Sequence, residues 1–415
     1  MRIETLRLTD LNPASYNPRK ELKPGDAEFE KLKRSITEFG YVELIVVNER
    51  TGNTVISGHQ RLSVMKTIGI ENSECVIVDL PPEKEKALNI AMNKISGEWD
   101  EKKLALVISD LEAADFDVSL TGFDTAELDD LFRRNGDEPK DDGYDPTEEL
   151  SKPKMTRPGD IWTLGRHRLI CGDSTDPLTY ERLMAGRKAN LVITDPPYNV
   201  AYEGTAGKIR NDDMKDNEFY LFLLAAFSLM EKFMEDDASI YVFHADTEGL
   251  NFRKAFSEAG FYLSGTCIWK KNALVLGRSP YQWQHEPVLY GWKKKGRHQW
   301  YTGRKESTIW EFDRPKRNAE HPTMKPVPLI AYPMQNSSMS GTVVLDPFGG
   351  SGSTLIAAEE TGRVCYTSEL DEKYADVIVK RYIELKGSSE DVRLERDGLT
   401  YTYEEAASMM EGCGE

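Results

Sequence analysis

Residues 342–360, TVVLDPFGGSGSTLIAAEE, constrain the fold more than any other stretch of this chain. An apolar run, an Asp-Pro exit, glycines at 349, 350 and 352, and an apolar helical segment read as strand, glycine turn, helix. Further strand candidates are ANLVIT, ASIYVFH, YLSGTCIW, PVLYGW and RVCYTSE, with a hairpin about Gly165 in DIWTLGRHRLICGD. Helical periodicity predicts helices over 217–235, 247–259, 352–361 and 371–386. Strands alternating with helices describe an α/β, doubly wound sheet. The stretch 270–325 lacks clear periodicity, and loops that long in compact domains are usually functional.

The glycine turn lets backbone approach a ligand. A phosphate cradle would need GxxxxGK[ST], and no lysine follows Gly352. An acid about 20 residues on would suit ribose hydroxyls, and Glu369 stands 23 residues after Asp346. That combination fits an adenosyl cofactor and NAD equally well.

A second strand exit separates the two. VITDPPYNV, residues 192–200, ends an apolar strand in an acid, two prolines and a tyrosine. Neither proline can donate to a sheet, so the chain leaves the strand rigidly between Asp195 and Tyr198. An exocyclic amine on a nucleobase is a poor nucleophile, because its lone pair is delocalised into the ring. Asp195 and the main-chain carbonyl of Pro196 are suited to accept hydrogen bonds from such an amine, aiming the lone pair at a methyl sulfonium. Tyr198 would stack on the base once it leaves the helix, at about 1–3 kcal/mol. Unstacking a base costs only about a few kcal/mol, so a flipped base is the flat group this loop suits.

Residues 1–80 read as a small α+β unit: a helix over EFEKLKRSITEFG, two short strands around a Thr-Gly-Asn turn, and a helix over HQRLSVMKTIG. Residues 81–135 read as an acidic helical segment, 136–157 as a mobile linker, 158–390 as the main domain and 391–415 as a tail. The formal charge of −17 hides a polar layout. Residues 98–150 hold 18 acids against 5 bases and are expected to be a soluble spacer; residues 251–330 hold 15 bases against 6 acids. Five of the seven tryptophans fall at 269, 283, 292, 300 and 310, among Lys270, Lys271, Arg278, Lys293, Lys294, Lys295, Arg297 and Arg304. Bases interleaved with aromatics fit a nucleic-acid surface, even where some tryptophans are core. Lys208 and Arg210, on a Gly-rich loop after the DPPY stretch, fit closure over a flipped base as well as plain surface. Five scattered cysteines without a CxxC pair, and histidines without ligand spacing, argue against disulfides and metal. With no apolar run long enough to span a membrane and no apolar N-terminal core, a cytoplasmic protein is expected.

The order TDPPYNV, basic stretch, HPTMKPVPLI, LDPFGGSGST, ELDEKYADVIVKR resembles the beta class of amino-group DNA methyltransferases over roughly residues 158–388. The resemblance implies a Rossmann-like sheet binding S-adenosylmethionine, no metal, and a basic target-recognition insert at about 270–320 acting on double-stranded DNA. It implies catalytic roles for Asp195, Pro196, Pro197 and Tyr198. Cofactor contacts would come from Asp346, Phe348, Gly349, Gly350, Ser351, Gly352 and Glu369, with Asp173 of CGDS near the adenine and Thr323 and Lys325 of HPTMKP near the methionine end. In that class an acidic first residue leans to adenine N6 and a serine to cytosine N4. YNPRK and SGHQRL resemble the ParB-like fold, in which Gly58, His59 and Arg61, with Arg19, would hold a nucleotide phosphate; plain helix capping is the alternative there. Such a fusion is similar to phage or prophage proteins. A homodimer is left open. The expected reaction is methylation of adenine N6 in DNA. The alternatives are cytosine N4, an RNA or protein substrate, and a ParB-like DNA-binding protein with a non-catalytic methyltransferase half.

Overall fold

Contacts along the chain divide it into two units, Met1–Asp137 and Glu138–Glu415. The structure is a computed structural model. It describes the chain apart from residues 20–21, 94–99, 114–117, 122, 124–126, 129–130, 132–138, 201–202, 205–206, 209–211, 276–279, 303–304, 314–323 and 412–415.

In the first unit, strands β1 (Arg2–Arg7), β2 (Asn12–Pro13), β3 (Ile45–Asn48), β4 (Thr54–Ser57) and β5 (Asn72–Val78) form one sheet in the order β1-β5-β3-β4-β2. Every residue of β3 is buried, as its central place requires. Helices Ala27–Phe39 and His59–Thr67 supply Phe29, Ile36, Leu62 and Met65 to the core beside Ile45, Val47, Cys75 and Ile77. Gly58 starts the second helix at φ +98°, where a side chain would strain the backbone and a Cβ would meet Ile45 Cγ1 at 3.1 Å. Helices Pro82–Asn93 and Glu101–Ala113 close a satellite core of Ala87, Ile90, Leu104, Ile108 and Leu111.

The second unit holds strands β6 (Ile161–Leu164), β7 (His167–Cys171), β8 (Ala189–Thr194), β11 (Met234–Phe243), β12 (Phe261–Val275), β13 (Trp283–Lys293), β14 (Ile309–Glu311), β15 (Val343–Asp346), β16 (Val364–Glu369), β17 (Val392–Arg396) and β18 (Leu399–Thr402); β9 (Glu203–Gly204) and β10 (Gly207–Lys208) pair apart from them. The large sheet runs β14-β12-β13-β11-β8-β15-β16-β7-β6-β17-β18. Its centre, β11-β8-β15-β16-β7, is parallel, and β13, β6 and β17 join antiparallel. Leu191 and Ile193 pack with helices Val327–Ser337, Ser353–Glu360 and Glu372–Lys386. Val192 faces the opposite core, with Pro177–Met184, Asp216–Phe233 and Gly249–Glu258. Both faces are covered, as a parallel sheet needs. The expected doubly wound sheet is therefore present.

The winding reverses between β8 and β15. From β8 the helix Asp216–Phe233 leads outward to β11, whereas from β15 the helix Ser353–Glu360 leads the other way to β16. The crevice beyond the carboxyl ends at such a reversal is where open α/β sheets hold ligands.

Two stretches depart from the sequence reading. The residues expected to be a tail extend the sheet, because Val392 and Leu394 alternate inward on β17 and pair with β6, followed by the helix Tyr403–Glu411. The residues expected to be a mobile linker are tied to the second unit from 140 onward. Arg381 makes two ion-pair bonds to Asp142, at 2.7 and 2.9 Å, and Tyr144 packs on Met324 and Val377. Asp376 accepts the Met155 and Thr156 N–H groups at 2.7 and 2.9 Å.

Candidate active site at the strand reversal

Four adjacent parallel strands each end at or beside an acid: β8 at Asp195, β15 at Asp346, β16 at Glu369 and β7 at Asp173. Asp195 and Asp346 follow neighbouring strands, and Thr194 Oγ1 donates to Asp346 Oδ1 at 2.8 Å, joining the DPPY and DPFGG exits. Asp346 also accepts the Phe348 N–H at 3.1 Å. Burial pushes its carboxyl up to about 7, against the pull of these hydrogen bonds.

Glu369 faces the glycine turn. One carboxylate oxygen accepts the Gly350 N–H at 2.7 Å and the other the Asp371 N–H at 2.8 Å. Each oxygen keeps a free lone pair, and burial raises the group to about 7. A half-buried carboxylate with capacity left on both oxygens suits a pair of ribose hydroxyls. The neighbouring Asp173 is exposed and folds back on the Thr175 N–H and hydroxyl, both at 2.8 Å.

The three glycines differ. A Cβ on Gly349 would lie 2.6 Å from Thr367 Oγ1 and 2.9 Å from Ile378 Cδ1, so that glycine serves packing within the protein rather than approach to a ligand. Gly352 has φ +86° and a Cβ there would touch Ile378 at 3.2 Å, another internal constraint. Gly350, at φ +52°, has open space where its Cβ would stand. Among the three, Gly350 alone offers room to a bound group.

The other half of the site is a charge network. Tyr198 donates its hydroxyl to Asp195 Oδ1 at 2.5 Å, with Glu286 Oε2 at 3.1 Å. Lys325 Nζ lies 2.5 Å from Asp195 Oδ2 and 3.2 Å from Glu286 Oε2. Lys271 holds the other oxygen of Glu286 at 2.6 Å. Burial raises the Asp195 carboxyl, an effect that Lys325 opposes and Glu286 reinforces. Burial would raise Glu286 too, but Lys325 and Lys271 hold it down at about 2. Lys325 is held above the ordinary lysine value by Asp195 and Glu286, against burial. Asn199, at φ +56°, accepts the Met214 N–H at 2.7 Å and pins the end of the DPPY loop.

Several expected residues sit elsewhere than the sequence suggested. Lys325, expected against the cofactor, directs its ammonium to Asp195; its carbonyl accepts Ser353 Oγ at 2.8 Å, linking it to the helix after the glycine turn. Lys271 and Lys293, expected on a DNA surface, are buried; Lys293 pairs with Asp236 at 3.1 Å. Lys270 is exposed and paired with Glu311, Lys294 donates to Ser257 O at 2.6 Å, and Lys295 and Arg297 are exposed. Trp269 and Trp310 are core. Arg210, Arg278, Arg304 and Thr323 lie outside the described residues, as does the side chain of Lys208. Pro196 is buried and Pro197 half-buried in the loop they stiffen; Phe348 packs edge-on against Phe222, and Ser351 is buried. Glu286 is the member of this network that the sequence reading did not single out. Its signal was an acid opening the apolar run PVLYGW.

In the first unit, His59 Nε2 accepts the Ala14 N–H at 3.2 Å, and burial lowers its pKa to about 4, so the ring is neutral. Arg61 is paired with Glu43, and Arg19 is half-buried. Among the described residues no cluster of His, Cys, Asp and Glu could hold a metal ion, and no helix is long and apolar enough to cross a membrane.

Comparison with known proteins gives the frame for this geometry. Residues 189–380 match the N6/N4 family of DNA methylases, residues 1–94 the ParB N-terminal domain, and residues 102–158 the ParB-methyltransferase HTH domain. The last match covers most of the stretch expected to be an acidic spacer, so that expectation is corrected. YubD of Escherichia coli (strain K12) is 28% identical over 226 residues, 50% of this chain and 86% of YubD. The DNA adenine methyltransferase YhdJ of the same organism is 23% identical over 239 residues, 50% of this chain and 80% of YhdJ. The crystal structure of the M1.HpyAVI–SAM complex aligns at 20% identity and a TM-score of 0.41, over 51% of this chain and 98% of that one. The chain thus joins a DNA methylase domain of the N6/N4 type, residues 189–380, to ParB N-terminal and ParB-methyltransferase HTH domains.

Proposed function

We propose that the protein methylates the N6 amino group of adenine in double-stranded DNA, with the base flipped into the crevice between the β8 and β15 exits. The observation that carries this reading is the juxtaposition of Asp195 and the glycine turn on adjacent strand ends, bridged by Lys325. S-adenosylmethionine supplies an electrophilic methyl group on a sulfonium. Glu369 accepts its ribose hydroxyls, Gly350 gives it room, and Phe348 to Gly352 with Asp346 form the floor; Asp173 lies toward the adenine end. Asp195 and the Pro196 carbonyl accept the two N–H bonds of the target amine, which turns its lone pair out of conjugation and toward the methyl group. Tyr198 provides the aromatic face for the base. The exposed Lys270, Lys294, Lys295 and Arg297 contribute phosphate contacts.

Adenine is favoured by the acid at 195, and the adenine specificity of YhdJ points the same way. The test is incubation with methyl-labelled S-adenosylmethionine and DNA from a bacterial strain lacking amino-group methylation, followed by digestion to nucleosides. Label in N6-methyladenine is expected. Label in N4-methylcytosine would overturn the base assignment and keep the chemistry; no label in DNA would overturn both.

A further inference from the structure

Asp195 has no oxygen left without a donor. Tyr198 OH occupies Oδ1 and Lys325 Nζ occupies Oδ2, both at 2.5 Å. Each oxygen has a second lone pair, so an entering amine either shares an oxygen with the donor already there, and lengthens that donor's bond, or displaces it. In a buried site a donor released without a new acceptor is costly, and a buried lysine more so than a hydroxyl. Glu286 Oε2 lies 3.1 Å from the same hydroxyl and 3.2 Å from the same ammonium, near the long end of hydrogen bonding. Both donors are thus shared between two carboxylates, with Asp195 the nearer. Lys271 at 2.6 Å on Glu286 Oε1, its ammonium 5.0 Å from the Trp269 ring centroid, fixes the second carboxylate from behind. Glu286 comes from β13 and Lys271 from β12, whereas Asp195 follows β8, so the two acids are held by separate strands.

We propose that Glu286, anchored by Lys271, is a positioning residue that takes over the Lys325 ammonium and the Tyr198 hydroxyl when a nucleobase amine claims Asp195. The exchange keeps every donor paired and leaves Lys325 beside Asp195, so the acceptor stays ionised while its lone pairs are freed. This inference rests on the reading of Asp195 as the acceptor of the target amine.

The experiment compares the full-length wild type, E286Q and the charge-balanced E286Q/K271Q, using the labelled cofactor and unmethylated bacterial DNA across pH. S-adenosylmethionine binding, followed by calorimetry, reports an intact fold. Both variants are expected to bind the cofactor within about twofold of wild type and to lose on the order of ten- to hundredfold in kcat. In both, the acid limb of kcat moves to lower pH, because the charge of Glu286 no longer raises Asp195. Unchanged kcat and an unmoved limb overturn the proposal, and so does a fall in kcat with the limb unmoved, which is what a structural role alone would give. Should E286Q fail to fold with Lys271 unpaired, the double variant decides. A 13C titration of the Asp195 carboxyl, assigned by its loss in D195N, reads the same coupling without catalysis. A wild type that methylates nothing would overturn the function, and the titration would still support or overturn the network.

Discussion

At the scale of single residues, the site depends on which protons Asp195 holds. Accepting an amine N–H needs an ionised carboxylate, so kcat falls as pH falls through the Asp195 pKa, which burial has raised. Lys325 opposes that rise. Lys325→Met is therefore expected to move the acid limb to higher pH, opposite in sign to the change in E286Q, and to cut kcat at neutral pH. A pH–rate profile in which the limb stays put would remove Lys325 from the electrostatics of the site. Asp195→Asn keeps the shape but removes the charge and replaces one acceptor oxygen with an N–H donor; a loss of about 10²–10³-fold in kcat, with cofactor binding retained, is expected. The DPPY and glycine residues are visible in the sequence because rigid exits and tight turns need particular residue types locally. The network of Glu286 and Lys271 is not, since what joins them is a salt bridge between residues 15 positions apart on two strands, which looks, in one dimension, like surface charge.

At the scale of elements, the glycine turn separates packing from conformation. Gly349→Ala puts a methyl group 2.6 Å from Thr367 Oγ1 against β16 and is expected to cost about 1–3 kcal/mol of stability. Gly350→Ala meets nothing within 4 Å and is expected to cost about 1–2 kcal/mol, for a side chain at φ +52°. The cofactor should tell them apart more clearly than the melt. G350A, whose new methyl group stands in the open space of the turn, should lose more S-adenosylmethionine affinity than G349A; the reverse order in a binding titration would refute the assignment. The strands of the parallel centre are legible because their apolar runs are short and bounded by turns. The helix Val327–Ser337 is not, because Pro333 lies inside it and eight of its eleven residues are buried, so no polar face gives it a period. The hairpin β17–β18 is read past for the opposite reason. On β17 Arg393 and Glu395 face out and the inner face mixes Val392 and Leu394 with the buried Arg396, while β18, LTYT, has no fully buried residue, so neither strand shows a strong apolar pattern.

At the scale of the whole molecule, the stretch before residue 158 shows where local composition misleads. Its acids, prolines and glycine are those of a tether, yet their partners lie more than 200 positions downstream. Asp142 meets Arg381, Lys154 meets Glu372 at 2.7 Å, and Lys373 donates to Leu150 O at 2.8 Å. Arg381 is buried, and its other nitrogen donates to Ser351 O at 2.9 Å in the glycine turn, so the strap is joined to the cofactor loop through one guanidinium. A charge buried with its partner removed is among the costlier defects a protein can carry, at about 3–5 kcal/mol. A fragment beginning at residue 138 keeps Asp142 and is expected to melt in one transition. A fragment beginning at residue 158 loses it, together with the Tyr144 packing and the Asp376 bonds, and is expected to melt at least about 5 °C lower or to aggregate. Asp142→Ala in the full chain isolates the ion pair and should weaken S-adenosylmethionine binding along with stability, since Arg381 then holds the glycine turn with one side of its fork unpaired. Equal melting midpoints for the two fragments would mean that the strap merely lies on the surface and adds nothing to the stability of the second unit.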